Sequence, residues 1–263
     1  MGAGDVRRDP LGRLIAHRGA SLAAPENTLA ALKAAAGAGA AWVEIDISLL
    51  GDGTAVLHHD ATLDRCTNRT GPLASIGAAE LGSIDAGAWF GARFAGEPLA
   101  TLTAALDLMA DLGLAANLEL KPHDAPPEPL AETVASALAA RQSDAPEVVV
   151  SSFDWTALAA FRRASDRAVA LLAPTLPEGW TRTAGALEAA AVHMDWRHLA
   201  QDHLDAAASE GVTLRVYTAN DPAALLPFRH LGLGGVITDD PARYLADPAW
   251  AAWVHADANP TGR

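Results

Sequence analysis

Eight short apolar segments recur along the chain, separated for the most part by stretches with helical spacing, and this alternation is what most constrains the fold. They are RLIAH (13–17), WVEIDIS (42–48), AANLELK (115–121), EVVVSSF (147–153), AVALLA (168–173), AAVHMDW (190–196), TLRVYTA (213–219) and GGVITD (234–239). Apolar runs of this kind suit strands covered on both faces, as in a parallel sheet whose crossovers are helices. The stretches ENTLAALKAAAGAG, TLTAALDLMADLG, DWTALAAFRRAS and DPAALLPFRHLG provide such helices. Eight repeats within 263 residues predict an α/β protein with a closed (β/α)8 TIM barrel, one domain over 1–263.

The rhythm breaks between about Gly51 and Pro98, a stretch rich in glycine and turn signals. It reads as a hairpin partner for the second strand followed by a small inserted subdomain, with Trp89 and Phe90 in the subdomain core. The segment KPHDAPPEP reads as a long loop after the third strand.

Half of the residues are hydrophobic and the net charge is −13, a globular composition that argues against a nucleic-acid partner. A small anion remains compatible if a metal and local cations reverse the sign in one place. Cys66 is the single cysteine, which fits a reducing compartment. The start, MGAGDVRRDPLGR, lacks the apolar core of a signal peptide, and Val6 stands where a myristoylation motif needs Ser or Thr. No apolar run approaches the ~20 residues of a membrane span. These features predict a cytoplasmic protein without stable membrane insertion.

Charged side chains in apolar strands are costly without partners or ligands. Glu44 and Asp46 alternate along one strand face, as do Glu119 and Lys121, and both pairs fall towards the strand ends where barrel active sites are built. Glu44, Asp46 and Glu119 together make an all-oxygen donor set suited to one hard divalent cation, Mg2+ or Ca2+. His17 and His59 suit general acid and base roles, since imidazole as a group titrates near neutral pH. Arg18 offers a planar fork for phosphate oxygens and Lys121 a compact charge. Tyr217 and His193 on later strands, and Asn220 just beyond one, are read at the same rim, while Asn117 and His123 are read as neighbours of the third-strand pair.

With these residues in view, the sequence resembles the glycerophosphodiester phosphodiesterase family in its compact cytosolic bacterial form. The stretches that carry the resemblance are HRGASLAAPENT, VEIDISLLGDGTAVLHHDATLDRCTN, DAGAWFGARFAGEPLATL, NLELKP, VVSSF, VYTAN and GVITDDP, spread from His17 to Tyr244. The resemblance implies metal-dependent hydrolysis of glycerophosphodiesters to sn-glycerol 3-phosphate and an alcohol. It implies His17 and His59 as the acid/base pair, Glu44, Asp46 and Glu119 as metal ligands, and Arg18 and Lys121 as phosphate binders. His59 is preferred over His58 because it directly precedes Asp60, and His58 is read as structural. Ala100 replaces a usual proline, and Tyr217 replaces a common tryptophan while keeping an aromatic wall against the glycerol. By analogy with related barrel phosphodiesterases, the glycerol 2-hydroxyl attacks first to form a cyclic phosphate. The competing readings are a lysophospholipase D-type enzyme of the same fold, marked by an apolar rim, and a non-catalytic phosphodiester-binding barrel, marked by a degenerate site.

Overall fold

Parallel strands close on themselves in the structure, a computed structural model that describes residues 9–141 and 146–256. The N-terminal stretch read for targeting signals lies mostly outside the described residues. The barrel strands are β1 (Leu14–His17), β2 (Trp42–Leu49), β4 (Ala115–Leu120), β5 (Val148–Ser152), β6 (Val169–Ala173), β7 (Ala191–Asp195), β8 (Thr213–Tyr217) and β9 (Gly235–Thr238). Each pairs in parallel with the next around the ring, and the pairing of β1 with both β2 and β9 closes it. The eight apolar segments thus occupy the eight staves of a (β/α)8 barrel. Short β3 (Ala55–Leu57) runs antiparallel to β2, as the hairpin reading expects.

The helices are α1 (Leu29–Gly37), α2 (Leu102–Leu112), α3 (Pro127–Ala139), α4 (Trp155–Ala164), α5 (Trp180–Leu187), α6 (Gln201–Ser209), α7 (Pro241–Ala246) and α8 (Pro248–His255). Alternation along the strands divides the core in two. Val43, Ile45 and Ile47 join the large cluster shared with the helices, whereas Ile15, Trp42, Val149, Ala170, Ala191 and Ile237 plug the barrel interior. The plug gives the cavity above it a solid floor.

Two stretches differ from expectation. KPHDAPPEP is not one long loop, because α3 begins at Pro127, where a fixed φ and a missing N–H are both tolerated in a first helical turn. DPAALLPFRHLG forms only a short 3-10 turn, Pro222–Leu225: Leu226 still has helical dihedrals, but Pro227 has no N–H with which to extend the hydrogen-bonded ladder. The insertion after β2 packs around Leu50, Val56, Leu63, Leu73, Ile84 and Leu99. Trp89 is exposed and stacks edge-on with Phe90 outside that cluster, so these aromatics are not the subdomain core.

Candidate active site

Glu44, Asp46 and Ser48 share the inward face of β2, and Asn117 and Glu119 share that of β4, with Lys121 just past its end. The register sets Asp46 beside Glu119 and Glu44 beside Asn117. One carboxylate oxygen from each of Glu44, Asp46 and Glu119 falls within 4.8 Å of the others, and all three side chains are buried. Glu44 Oε1, Asp46 Oδ1 and Glu119 Oε1 accept no hydrogen bond. Buried carboxylate oxygens left without donors are expensive unless a cation answers them. Lys121 answers two of them here, with Nζ 3.3 Å from Asp46 and in direct contact with Glu119.

Arg18 arrives from the other side. Its backbone adopts a left-handed φ of 55°, a conformation costly for a side-chain-bearing residue, and Asn27 does the same at 56°. The Arg18 turn is tight because Gly19 lies against Ala31 of α1, where a Cβ would sit 2.7 Å from the Ala31 backbone. The strain has a return. The Arg18 N–H donates to Glu44 Oε2 at 3.0 Å, Nε lies 3.1 Å from Asp46 Oδ2, and Nη1 donates to Glu26 at 2.6 Å. Asn27 donates to Asp46 Oδ2 at 2.8 Å and accepts its backbone N–H at 3.0 Å.

Burial dominates the titration of this cluster, but the neighbours split its members. Burial, then the negative charges of Asp46 and Glu119, push Glu44 well above the usual carboxylate range. Glu119 rises to about 7, again through burial and then Asp46, with Lys121 opposing. Burial also acts upward on Asp46, yet Lys121 and Arg18 outweigh it and hold the group at about 2. Arg18 and Lys121 are raised: burial works against them, and the carboxylates overcome it.

The two histidines flank this cluster in similar arrangements. His17 Nδ1 lies 2.6 Å from Asp239, a carboxylate that also receives Ser21 at 2.9 Å and Asn220 at 2.6 Å. His17 Nε2 is 3.9 Å from Glu44. His59 Nδ1 lies 2.6 Å from Asp60. In each ring an Nδ1–H given to aspartate leaves Nε2 as the exchangeable position. Burial, joined by Arg18 and Lys121, lowers His59 below the ordinary imidazole value. Asp239 is held at about 2, because the His17 hydrogen bond and charge overcome burial.

Above these groups opens a cavity of 590 Å3, lined by His17, Arg18, Glu44, His59, Glu119 and Lys121 on one side and by Phe153, Leu172, Trp196 and Tyr217 on another. Phe153 meets Tyr217 edge to face at 5.7 Å and the Lys121 ammonium at 5.5 Å. The arrangement is able to hold an oxyanion beside a divalent cation, with one imidazole on either side.

Over residues 17–243 the chain matches the model of the Glycerophosphoryl diester phosphodiesterase family. It belongs to this family. The glycerophosphodiester phosphodiesterase of Caldanaerobacter subterraneus subsp. tengcongensis is 33% identical over 237 residues, 87% of this chain and 94% of that protein. An Oleispira antarctica phosphodiesterase, solved in complex with the product sn-glycerol-3-phosphate, superposes with a TM-score of 0.85 at 31% identity, covering 90% of this chain and 96% of the other. A glycerophosphodiester phosphodiesterase from Agrobacterium tumefaciens gives a TM-score of 0.76 at 25% identity, covering 90% and 100%. This member of the family is accordingly an enzyme, a phosphoric diester hydrolase acting on small molecules, and none of its described helices is long and apolar enough to cross a membrane.

All eight sequence-selected residues, His17, Arg18, Glu44, Asp46, His59, Glu119, Lys121 and Tyr217, come together at this phosphodiesterase site. His58 is buried and bonded to Thr62 O at 2.8 Å, and His123 is tied to Ser48 at 3.0 Å, so neither faces the cavity. His193 is corrected: it is fully buried inside the barrel and does not reach the rim. Asn117 is more than a bystander, since it lines the cavity with both amide atoms unpartnered. Missed altogether were Phe153, Trp196, Asp239 and the pair Glu26 and Arg65. PENT and LDRCTN held the last two in plain sight.

Proposed function

We propose that this chain hydrolyses water-soluble glycerophosphodiesters, such as glycerophosphocholine and glycerophosphoethanolamine, to sn-glycerol 3-phosphate and the free alcohol, acting as one catalytic domain that includes its insertion. The observation that carries this reading is the convergence of three buried carboxylates within 4.8 Å of one another, beside two cations, at the cavity. Glu44, Asp46 and Glu119 would hold one divalent cation, Mg2+ or Ca2+, since hard oxygens alone make up the donor set. Such an ion would supply Lewis-acid stabilisation of the negative charge that the reaction develops on the phosphate.

Arg18 and Lys121 draw the phosphate into the acidic barrel and fix its orientation. His17 and His59 exchange protons at Nε2, one taking a proton from the attacking oxygen and the other giving one to the leaving alkoxide. Asp239 and Asp60 keep each ring in the tautomer that permits this. Tyr217, backed by Phe153, packs against the glycerol. A cytoplasmic setting accords with the single, buried Cys66.

The test is a glycerol 3-phosphate-coupled assay across a panel of head groups and metals, with His17→Ala, His59→Ala and Glu44→Ala as controls. Retained turnover in any of the three variants would refute the assignment. The exposed Phe153 at the cavity mouth favours one second reading, a lysophospholipase D-type activity. A lysophosphatidylcholine arm in the panel decides between them.

A further inference from the structure

Arg65 sits in the insertion, does not line the cavity, and has a side chain 45% exposed. Its guanidinium grips two carboxylates at once. Nη1 and Nη2 donate to the two oxygens of Glu26 at 2.7 and 2.8 Å, while Nε and Nη2 donate to the two oxygens of Asp60 at 2.7 and 3.2 Å. Each carboxylate then continues to a different side chain of the site. Asp60 holds His59 Nδ1 at 2.6 Å, and Glu26 accepts from Arg18 Nη1 at 2.6 Å. A continuous chain of bonds therefore runs from His59 through Asp60, Arg65 and Glu26 to Arg18. It joins the loop after β1 to the insertion after β2.

A half-exposed ion pair by itself adds little to stability. The arrangement here is unlike an ordinary surface pair, because both forks are bidentate and both end on groups that face the cavity. It also cancels charge. Without Arg65, Glu26 and Asp60 would present two poorly answered carboxylates near the place an anionic phosphate must occupy.

We propose that Arg65 is a positioning residue, fixing the His59 imidazole through Asp60 and the Arg18 guanidinium through Glu26 with a single planar group. This rests on the reading of His59 as a proton-exchanging residue and Arg18 as a phosphate binder. Lysine cannot reproduce it, since an ammonium lacks the fork that spans both carboxylates.

The experiment compares Arg65→Ala, Arg65→Lys, Asp60→Asn and the double variant Arg65→Ala/Asp60→Asn with wild type and with His59→Ala, using glycerophosphocholine and saturating metal. Arg65→Ala is expected to lose about 10–100-fold in kcat, the range seen when an outer partner of an active-site group is removed. Arg65→Lys recovers part of the loss, and millimolar guanidinium ion added to Arg65→Ala restores more, which a folding defect would not allow. The double variant is expected to lose less than the product of the two single losses, because both substitutions cut the same Asp60–His59 arm. Activity of Arg65→Ala within twofold of wild type overturns the proposal, as does a double variant whose loss is the product of the single losses. An active His59→Ala would instead sink the underlying reading; an inactive one beside an unaffected Arg65→Ala sinks only the role of Arg65.

Discussion

A divalent cation is expected to stabilise this fold directly, independent of turnover, and to do so more at alkaline than at acidic pH. The three carboxylates are preassembled within 4.8 Å of one another, so the ion binds the folded chain and has no comparable site in the unfolded one. At a hundredfold excess over its Kd it adds about 2.7 kcal/mol, and at ~2–4 °C per kcal/mol for a chain of this size the melting temperature should rise by about 5–10 °C. Proton competition sets the pH dependence. Glu119 titrates at about 7 and Glu44 well above its ordinary value, both through burial first, so below neutrality the site holds protons that the metal must expel. With one proton counted, moving from about pH 8 to about pH 6 weakens binding by about tenfold, or ~1.4 kcal/mol, and removes roughly 3–5 °C of the shift. The metal-free protein runs the other way. A carboxylate whose folded pKa is raised stabilises the fold below its unfolded value, and that contribution is lost as pH rises towards its folded one. Scanning fluorimetry of EDTA-treated protein, titrated with CaCl2 or MgCl2 at the two pH values, measures both trends. A shift that survives in Glu44→Gln, or that is no larger at the higher pH, would refute the reasoning.

Asp239→Asn should leave the fold intact yet lower kcat by about 10–100-fold, since the His17 ring loses the acceptor that orients it; steady-state kinetics beside a circular dichroism spectrum checks this. The same carboxylate, held at about 2, contributes stability that is present above its unfolded pKa and lost as pH falls from there through about 2; in Asp239→Asn this part of the acid denaturation curve should flatten. Phe153→Ala should raise KM by about 2–10-fold, an aromatic contact of ~0.5–1.5 kcal/mol, with kcat little changed, because Phe153 lies against Tyr217 and Lys121 and carries no proton. If the glycerol 2-hydroxyl is the first nucleophile, a 2-deoxy substrate is not turned over and the natural one passes through a cyclic phosphate detectable by phosphorus NMR; normal turnover of the deoxy analogue excludes that route.

What could be read in advance divides along the reach of local physics. Strand patterning has a period of two, so a buried parallel strand announces both its existence and its faces. That is why all eight staves were legible, and why Glu44 with Asp46, and Glu119 with Lys121, were placed side by side before any fold was known. Helices between the staves were less secure. At Pro127 a proline that looked like loop punctuation opens α3, and at Pro222–Leu225 an apolar spacing that looked helical stops after one turn. In both cases one residue's backbone constraint outweighs the pattern around it. Contacts between distant segments left no such trace. His17 and Asp239 stand 222 positions apart, and Arg65 reaches Glu26 across 39, so nothing near either residue foretells its partner.

His193 shows where the period-of-two argument stops. His193 and Asp195 both stand on the inward face of β7, but face is not height. In a barrel, height follows from the stagger between neighbouring strands, which is a property of the closed ring and of no single strand. The register places His193 beside Leu172 and Arg215, one layer below the level at which Asp195 pairs with Tyr217, and Tyr217 is the member that reaches the cavity. Glu44, in the first half of β2, lines the cavity, whereas His193, in the middle of β7, does not. The cavity is therefore bounded unevenly around the ring: carboxylates at β2 and β4, Leu172 at β6, Ile237 at β9, and aromatic side chains at the ends of β5 and β8. Which inward side chain reaches it is decided by the closed ring and not by alternation along any one strand.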